Sequence, residues 1–382
     1  MPSLSGRRLR IGIDGREFTK QKTGIARLLE GALKEFCRLR PEWEFFLFGN
    51  QETIPPFEGK SLTFLRLPER PTFWWDQLTL VQSLKKERID LFLSSYYKIP
   101  LFSPCPAIPM VHDLIVLTSA CYRSPRYFLK RSAYYLLGLL YAHRSALILT
   151  DSHYSKRCIE RLFKISGQKI QIVYPGLDKH FQILPREEFL KSLQERHRFS
   201  SPYLLYVGNF KPHKRVDCLL EAYSCLPKAL REKYPLILVG TLDPNGLRLK
   251  KMGDKLGLSG QAIFTDYVDD DSLIALYKNA HLFVFPSSEE GFGLPPVEAM
   301  TFGIPVIASR AASIPEVVGD AASLVSPGDP KELSAEMRRL LENDSLRLSL
   351  ARKGLERARF FSVETQAESI LLTIEKLLGK GL

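Results

Sequence analysis

Glu290 and Glu298 stand seven residues apart in the segment of the chain richest in potential chemistry, Pro286-Ser-Ser-Glu-Glu290-Gly-Phe-Gly-Leu-Pro-Pro-Val-Glu298-Ala-Met300. The apolar run Leu282–Phe285 ahead of it has the pattern of a buried strand. The stretch from Pro295 into Phe302 reads as a helix, because proline is tolerated in a first helical turn. A glycine turn between strand and helix leaves backbone N–H groups free beside a helix start, and such a turn binds phosphate without a charged side chain. Glu290 before the turn and Glu298 beyond it can both accept hydrogen bonds from sugar hydroxyls. The plain alternative is a helix cap and a surface glutamate, and one strand–glycine–helix turn does not decide between the two.

A second segment repeats the arrangement with cations. Tyr206-Val-Gly-Asn-Phe-Lys-Pro-His-Lys-Arg215 joins a strand to a helix at Val216–Tyr223 and carries Lys211, Lys214 and Arg215. The plain reading of these cations is a solvated basic turn. In the first half, Gly24 opens a helix in Lys22-Thr-Gly-Ile-Ala-Arg27, and His112 follows a strand in Met110-Val-His-Asp-Leu114. The Asp-x-Asp spacing of Asp269-Asp-Asp271 reads as a solvated helix cap rather than a metal site. No metal and no cofactor are expected.

The Glu290/Glu298 segment resembles the E-x(7)-E motif of the retaining family 4 glycosyltransferases, which have the GT-B fold. Ala280-His-Leu-Phe-Val-Phe-Pro-Ser287 before it extends the likeness, as do Gly303-Ile-Pro-Val306 and Ile314-Pro-Glu-Val-Val-Gly-Asp-Ala321 after it. The resemblance covers nearly the whole chain and is strongest over residues 203–325. It implies that Glu298 binds the ribose of a nucleotide-diphosphate sugar and that Glu290 contacts the donor sugar. The amides near Phe292, Gly293 and Leu294 would meet the diphosphate, and Lys214 would neutralise it. Asn209 stands where many relatives have a second phosphate-binding arginine, which leaves Lys211 or Arg215 as substitutes. Tyr267 and Val268 lie where relatives hold the base, with Asp266 in place of a common glycine. Gly24 is similar to the family's first glycine loop, near the donor phosphate and the acceptor, and His112 is implied to point into the cleft beside the donor sugar. Thr150-Asp-Ser-His-Tyr-Ser155 and Val173-Tyr-Pro-Gly-Leu-Asp178 match interdomain segments and read as architecture and hinge.

The elements that must position these residues are visible as short apolar runs alternating with amphipathic stretches, the pattern of parallel sheets covered by helices. Strands are predicted at Leu9–Ile13, Glu44–Phe48, Leu62–Leu67, Leu91–Leu93, Ile108–Val111, Ala146–Thr150 and Ile170–Val173. After a polar stretch, Tyr174–Ser201, they resume at Tyr203–Val207, Leu236–Val239, Ala262–Thr265, Leu282–Phe285, Pro305–Ala308 and Ala322–Leu324. Helices are predicted at Gly24–Arg38, with Thr23 as N-cap, and at Asp271–Lys278, Lys331–Glu342, Ser345–Ala358 and Val363–Leu378. The expected fold is α/β, GT-B, with two doubly wound Rossmann-like domains facing a central cleft. An acceptor domain spans 1–180, a linker 181–200 and a nucleotide-sugar domain 201–360, and a final helix over 361–382 packs back on the N-terminal domain.

Composition narrows the class. The chain has 382 residues, 45% hydrophobic and 25% charged, which excludes a disordered or fibrous protein. Its net charge of +12 arises wholly in residues 1–180, which hold 28 basic and 16 acidic side chains, whereas residues 181–382 balance. That asymmetry favours an anionic partner. Nucleic acid is the different-class reading, but no recognition motif with interleaved aromatic and basic residues accompanies the charge. Tyr122-Arg-Ser-Pro-Arg-Tyr-Phe-Leu-Lys-Arg131, followed by Tyr134 and Tyr135, instead suits an anionic membrane surface. The longest apolar stretch, Ser132 to Ala142, is about half the roughly 20 residues a membrane-spanning helix needs. Six cysteines without metal-ligand spacing read as reduced, mostly buried thiols, and the expected location is cytoplasmic, peripheral at the inner face of the plasma membrane.

The function implied is a retaining, metal-independent transfer of a hexose from a nucleotide-diphosphate sugar to a glycan or polyprenyl-diphosphate-linked acceptor. Thr23-Gly-Ile-Ala-Arg27 and Glu290-Gly-Phe-Gly-Leu-Pro295 resemble bacterial mannosyltransferases of surface-polysaccharide assembly, which implies mannose, carried as GDP-mannose. A nucleotide-sugar epimerase or a phosphorylase shares the architecture. The glutamate pair together with Lys214 favours the transferase.

Overall fold

The computed structural model describes residues 8–20, 24–177 and 187–379. Thr23, the expected N-cap, and the linker residues from Asp178 to Arg186 lie outside the described residues. The chain divides into two compact units, Met1–Asp178 with Ser362–Leu382, and Lys179–Phe361.

In the first unit β1 (Arg10–Asp14), β2 (Glu44–Gly49), β3 (Leu62–Arg66), β4 (Leu91–Ser94), β5 (Ala107–Val111), β6 (Ile148–Thr150) and β7 (Ile170–Ile172) form one sheet. Its order is β3-β2-β1-β4-β5-β6-β7, with parallel pairing throughout. In the second, β8 (Leu204–Val207), β9 (Leu236–Val239), β10 (Ala262–Asp266), β11 (Leu282–Phe285), β12 (Val306–Ser309) and β13 (Ala322–Val325) form a parallel sheet ordered β10-β9-β8-β11-β12-β13. Each strand lies within a residue or two of its predicted place. Central strands such as β4, β5, β8, β9 and β11 are buried at every position. Strands covered on both faces by helices read as continuous apolar runs, which is why they were visible in the sequence.

The first unit closes on itself through its last helix. Val363–Gly379 buries Ala367, Ile370, Leu371 and Ile374 in the same core as Ile11, Ile13, Leu33, Phe36 and Phe45. It lies against the Gly24–Leu39 helix at Gly31, where a Cβ would come 3.0 Å from Val363 Cγ1. The Gly176 N–H donates to Gln366 Oε1 at 3.0 Å, and Leu177 bridges to Ser362, so the end of the first pass and the start of the last helix are tied together.

One segment departs from the expectation of plain helices and loops. Trp75–Thr79 forms a π-helical turn between helical pieces at Thr72–Trp74 and Leu80–Lys86, with Trp75, Asp76, Gln77 and Thr79 buried. No cysteine is paired among the described residues; Cys158 and Cys218 are buried, but Cys37, Cys105 and Cys121 are half-buried and Cys225 is exposed, so the expected burial holds for two of the six.

The contact at Gly31 makes a specific demand. Gly31→Leu places a branched side chain against Val363 in a filled interface, and overpacking of this kind costs about 1–3 kcal/mol. Urea denaturation should show the lowered midpoint, and an unchanged midpoint would mean the two helices are not packed as described.

Candidate active site

In a parallel sheet every strand ends on the same edge, and ligands bind there where the strand order reverses. In the second unit the order reverses between β8 and β11. The loops leaving these two strands are the two glycine segments singled out from sequence, Gly208–Arg215 and Pro286–Gly293.

Side chains hold the loops together. Lys214 lies on a short 3-10 turn, Pro212–Lys214, and its Nζ is 2.6 Å from Glu290 Oε1. Both side chains are largely buried, and the ammonium also sits 5.3 Å from the centre of the Phe285 ring. The His213 carbonyl accepts from Ser288 N at 2.8 Å, Ser287 Oγ at 3.2 Å and Ser288 Oγ at 3.1 Å. Burial, with the nearby Lys214 charge, lowers the His213 pKa to about 4, so this ring is neutral near pH 7. Ser313 Oγ lies 3.0 Å from the Glu290 carbonyl and 2.9 Å from the Phe292 carbonyl, and Ser309 Oγ donates to the Ser287 carbonyl. Ser287, Ser309 and Ser313 have no exposed surface.

The carbonyls of the loop are thus turned inward, and the amides at its far end are not. Gly293 caps the Leu294–Thr301 helix with φ +95°, a backbone conformation in which an L side chain is strained. Pro295 and Pro296 carry no N–H, so the free donors of this helix start reduce to the Gly293 and Leu294 amides. Neither meets an acceptor among the described residues. One turn further, Glu298 Oε2 accepts from the hydroxyl of the fully buried Tyr277 at 2.6 Å.

The remaining candidates of this unit stand on the same sheet edge. Asn209 is exposed, and its Oδ1 accepts from Lys211 N at 3.3 Å. Of the two cations considered in place of a second arginine, Arg215 is turned onto Asp217 at 3.3 Å and lies against Gly328. Lys211 is exposed and has no ion pair among the described residues. Tyr267 is exposed and Val268 half-buried, just after β10. Before them Asp266 adopts φ +66° and accepts from Leu242 N and Tyr267 N at 2.9 and 2.8 Å. A short polar side chain that bonds its own backbone tolerates the left-handed region, so aspartate can stand where a glycine is common. Asp269 caps the Asp270–Asn279 helix through Ser272 N at 2.8 Å, and no metal-binding cluster of His, Cys, Asp and Glu occurs among the described residues.

In the first unit Gly24 is exposed at the start of its helix, and the next residue, Ile25, lines a small apolar cavity with Leu29, Ser95, His112 and Gln366. The His112 ring is largely buried, with Nδ1 2.8 Å from Asp151 Oδ2 and Nε2 3.1 Å from the Ser95 carbonyl. Asp151 was expected to be architecture. The β5/β6 register pairs Val111 with Thr150, which sets the next residues, His112 and Asp151, beside each other. Pairing the ends of neighbouring strands was the available signal. A second cluster carries no signal in the sequence: Arg16, after β1, reaches Asp14 at 2.6 Å and Asp76 at 2.7 Å and stacks 4.0 Å over Trp75. Burial opposes the Arg16 charge, but the two carboxylates outweigh it and raise its pKa.

Two parallel-sheet units with a glycine-loop site at the strand reversal are those of a GT-B protein. The family model described as glycosyl transferases group 1 matches residues 190–357, and that described as glycosyltransferase family 4 matches residues 24–181. The O-antigen chain mannosyltransferase B of Escherichia coli is 36% identical over 262 residues, 68% of this chain and 67% of the relative. A serotype-specific mannosyltransferase, WbdA of Escherichia coli, is 30% identical over 279 residues, 72% of this chain. That alignment covers 34% of the WbdA sequence, so the chain spans about a third of that relative's length. Among solved structures, Anabaena HepE in complex with UDP and glucose superimposes with a TM-score of 0.74 at 19% identity, covering 97% of this chain and 100% of that one. The chain belongs to the family 4 glycosyltransferases.

The serine clamp gives this site a direct test. Ser313→Ala removes the hydroxyl that meets two buried carbonyls, and unsatisfied buried polar groups cost about 1–3 kcal/mol. Chemical denaturation should register that loss, and wild-type stability would show that the hydroxyl does not hold the loop.

Proposed function

We propose that this protein transfers a hexosyl group, with mannose as the sugar, from a nucleotide-diphosphate donor to a hydroxyl of a glycan or lipid-linked glycan acceptor, retaining the anomeric configuration. The observation that carries this reading is the Lys214–Glu290 pair beside the two free amides of Gly293 and Leu294. A cation from one loop and two N–H donors from the neighbouring one match a diphosphate, while the two carboxylates match hydroxyls. Two relatives named mannosyltransferases support the sugar.

In the proposed reaction the acceptor oxygen bonds to the anomeric carbon as the bond from that carbon to the phosphate oxygen breaks. The departing phosphate oxygen takes the acceptor's proton on the same face. Negative charge gathers on the leaving diphosphate, and Lys214 with the Gly293 and Leu294 amides is assigned to stabilise it. Phe292 shapes that turn from its buried position, edge-on to Phe361 at 5.3 Å. Glu298, steadied by Tyr277, is assigned to the ribose and Glu290 to the donor sugar. Tyr267 and Val268 are assigned to the base, Asn209 and Gly24 to the phosphates, and His112 to the sugar side of the reaction. No metal is assigned.

A thermal-shift panel of nucleotide-sugars tests the donor, since a ligand bound only by the folded state raises its melting temperature. GDP-mannose is expected to give the largest shift. Glu298→Ala should weaken that binding by about 1–3 kcal/mol, Glu290→Ala should chiefly lower turnover, and Lys214→Ala should cost more than Lys211→Ala. Activity should persist in EDTA, and nucleoside diphosphate should be released only with an acceptor present. No release of nucleoside diphosphate with acceptor present would favour a phosphorylase or epimerase, whose net reactions discharge none, and an absolute need for Mn²⁺ or Mg²⁺ would remove the metal-free assignment.

We also propose peripheral attachment of the first unit to an anionic membrane at the inner face of the plasma membrane. No helix among the described residues is long and apolar enough to cross a membrane. The Phe128–Arg144 helix nevertheless leaves Phe128, Leu129, Tyr135, Leu136 and Leu140 exposed, with exposed Arg126 and Lys130 at its start. Tyr134, grouped with them from sequence, instead packs 4.5 Å from Tyr97. Nearby cations contribute on the order of 1 kcal/mol each at an anionic surface. Vesicle co-sedimentation should require anionic lipid and fade toward about 0.5 M salt as screening sets in. Equal binding to neutral vesicles would remove the electrostatic claim.

A further inference from the structure

The His112 ring meets an acceptor at each nitrogen. Asp151 Oδ2 lies at Nδ1 and the Ser95 carbonyl at Nε2, 2.8 and 3.1 Å away. A neutral imidazole has one N–H and would turn a lone pair toward one of these oxygens; only the doubly protonated ring satisfies both. We propose that Asp151 is a positioning residue that holds His112 as a fixed imidazolium, so that His112 serves the transfer as a cation and not as a base. The proposal rests on the transferase reading above for what the cation does, but not for its existence.

The surroundings are consistent on every side. Asp151 comes from the end of β6 and is 5% exposed. Ser95 follows β4, and Asp113 is the next residue along the chain. From the His153–Phe163 helix Ser155 Oγ donates to the His112 carbonyl at 3.4 Å. Ile25, Leu29, Gln366 and Ile370, from the two helices over the adjoining cavity, bring no titratable group. Tyr96 stands near Asp113. Burial disfavours the ring's charge, but the Asp151 charge and hydrogen bond, the Ser95 carbonyl and Asp113 outweigh it and raise the pKa to about 9. The ring therefore keeps its second proton up to that pH and loses it as pH rises through about 9. The fold alone does not call for such a pair, because a buried ion pair is often no more stabilising than apolar side chains of the same volume. A cation held at the carboxyl edge of the sheet, with its ring unable to turn, is suited to a developing negative charge.

The test is a ring titration of His112 by NMR in the full chain, in wild type and in Asp151→Asn, with turnover of GDP-mannose followed over the same pH range. The wild-type ring should titrate near 9. Asp151→Asn keeps an acceptor but removes its charge, and should lower that value by about 1–3 pH units. The alkaline limb of turnover should move down with it, with activity near pH 6 largely kept, and Asp151→Glu should restore part of the shift. A wild-type ring titrating near 6.5, a ring unmoved by Asp151→Asn, or a moved ring with an unmoved alkaline limb would each overturn the proposal. If Asp151→Asn does not fold, the wild-type titration still decides. The titration is read in the free protein, so a wild type that charges its ring near 9 yet turns over no donor counts against the transferase reading and not against the imidazolium.

Discussion

Because the six strands of the second sheet run the same way, β8 and β11 must send their loops out on the same edge, and the reversal of strand order there opens a gap between them. No ladder hydrogen bond can close that gap. The chain closes it with the Lys214–Glu290 pair and with the Ser287 hydroxyl and the Ser288 hydroxyl and amide, which all donate to the His213 carbonyl, while the Ser309 and Ser313 hydroxyls hold the carbonyls of Ser287, Glu290 and Phe292 from the β12 side. The polarity of this closure sets the chemistry. Hydroxyls donate to carbonyls, so these acceptors of the loop face the protein, while the Gly293 and Leu294 amides at its far end meet no acceptor among the described residues. With Pro295 and Pro296 removing two amides, the remaining donors are confined to one short stretch of backbone at a glycine that alone takes φ +95° without strain.

The same reasoning explains why the glutamates are not equivalent. Glu290 is largely buried and already paired with Lys214, so its position is fixed by the loop closure and any hydroxyl it binds is located relative to the cation. Glu298 lies on a helix and is steadied by a tyrosine reaching over from the Asp270–Asn279 helix. One carboxylate is tied to the phosphate end of the site and the other to a rigid element beyond it. Under the proposed function, a ligand that spans both would present an anion with hydroxyls on each side, the layout of a nucleotide-diphosphate sugar.

The strands were legible because burial on both faces writes them as apolar runs, and the glycine turns were legible because so few residues permit them. The partners of the site residues were not. Ser287, Ser309 and Ser313 look like ordinary loop residues, since nothing in a serine's identity tells whether its hydroxyl meets water or a buried carbonyl. Tyr277 fits the apolar face of an amphipathic helix, and its polar tip is invisible in that pattern. Asp151 reads as hinge although it follows its strand as His112 follows the neighbouring one, and only strand pairing converts those two positions into a contact. The π turn at Trp75–Thr79 has no periodicity of its own to read, so Asp76 and its link to Arg16 stayed hidden.

These pairings also locate the protein's charge. Lys214 is compensated by Glu290, His112 by Asp151, and Arg16 by Asp14 and Asp76. These three largely buried cations are therefore matched locally, and the +12 excess of the first half belongs elsewhere, to exposed side chains such as Arg123, Arg126 and Lys130. Buried pairs are screened little by salt, whereas exposed charges beyond about 8–10 Å are screened strongly at physiological ionic strength. Ionic strength consequently separates two roles that net charge alone confounds: it would weaken the proposed attachment of the first unit's exposed cations to an anionic surface and leave the local electrostatics of the paired residues largely as they are.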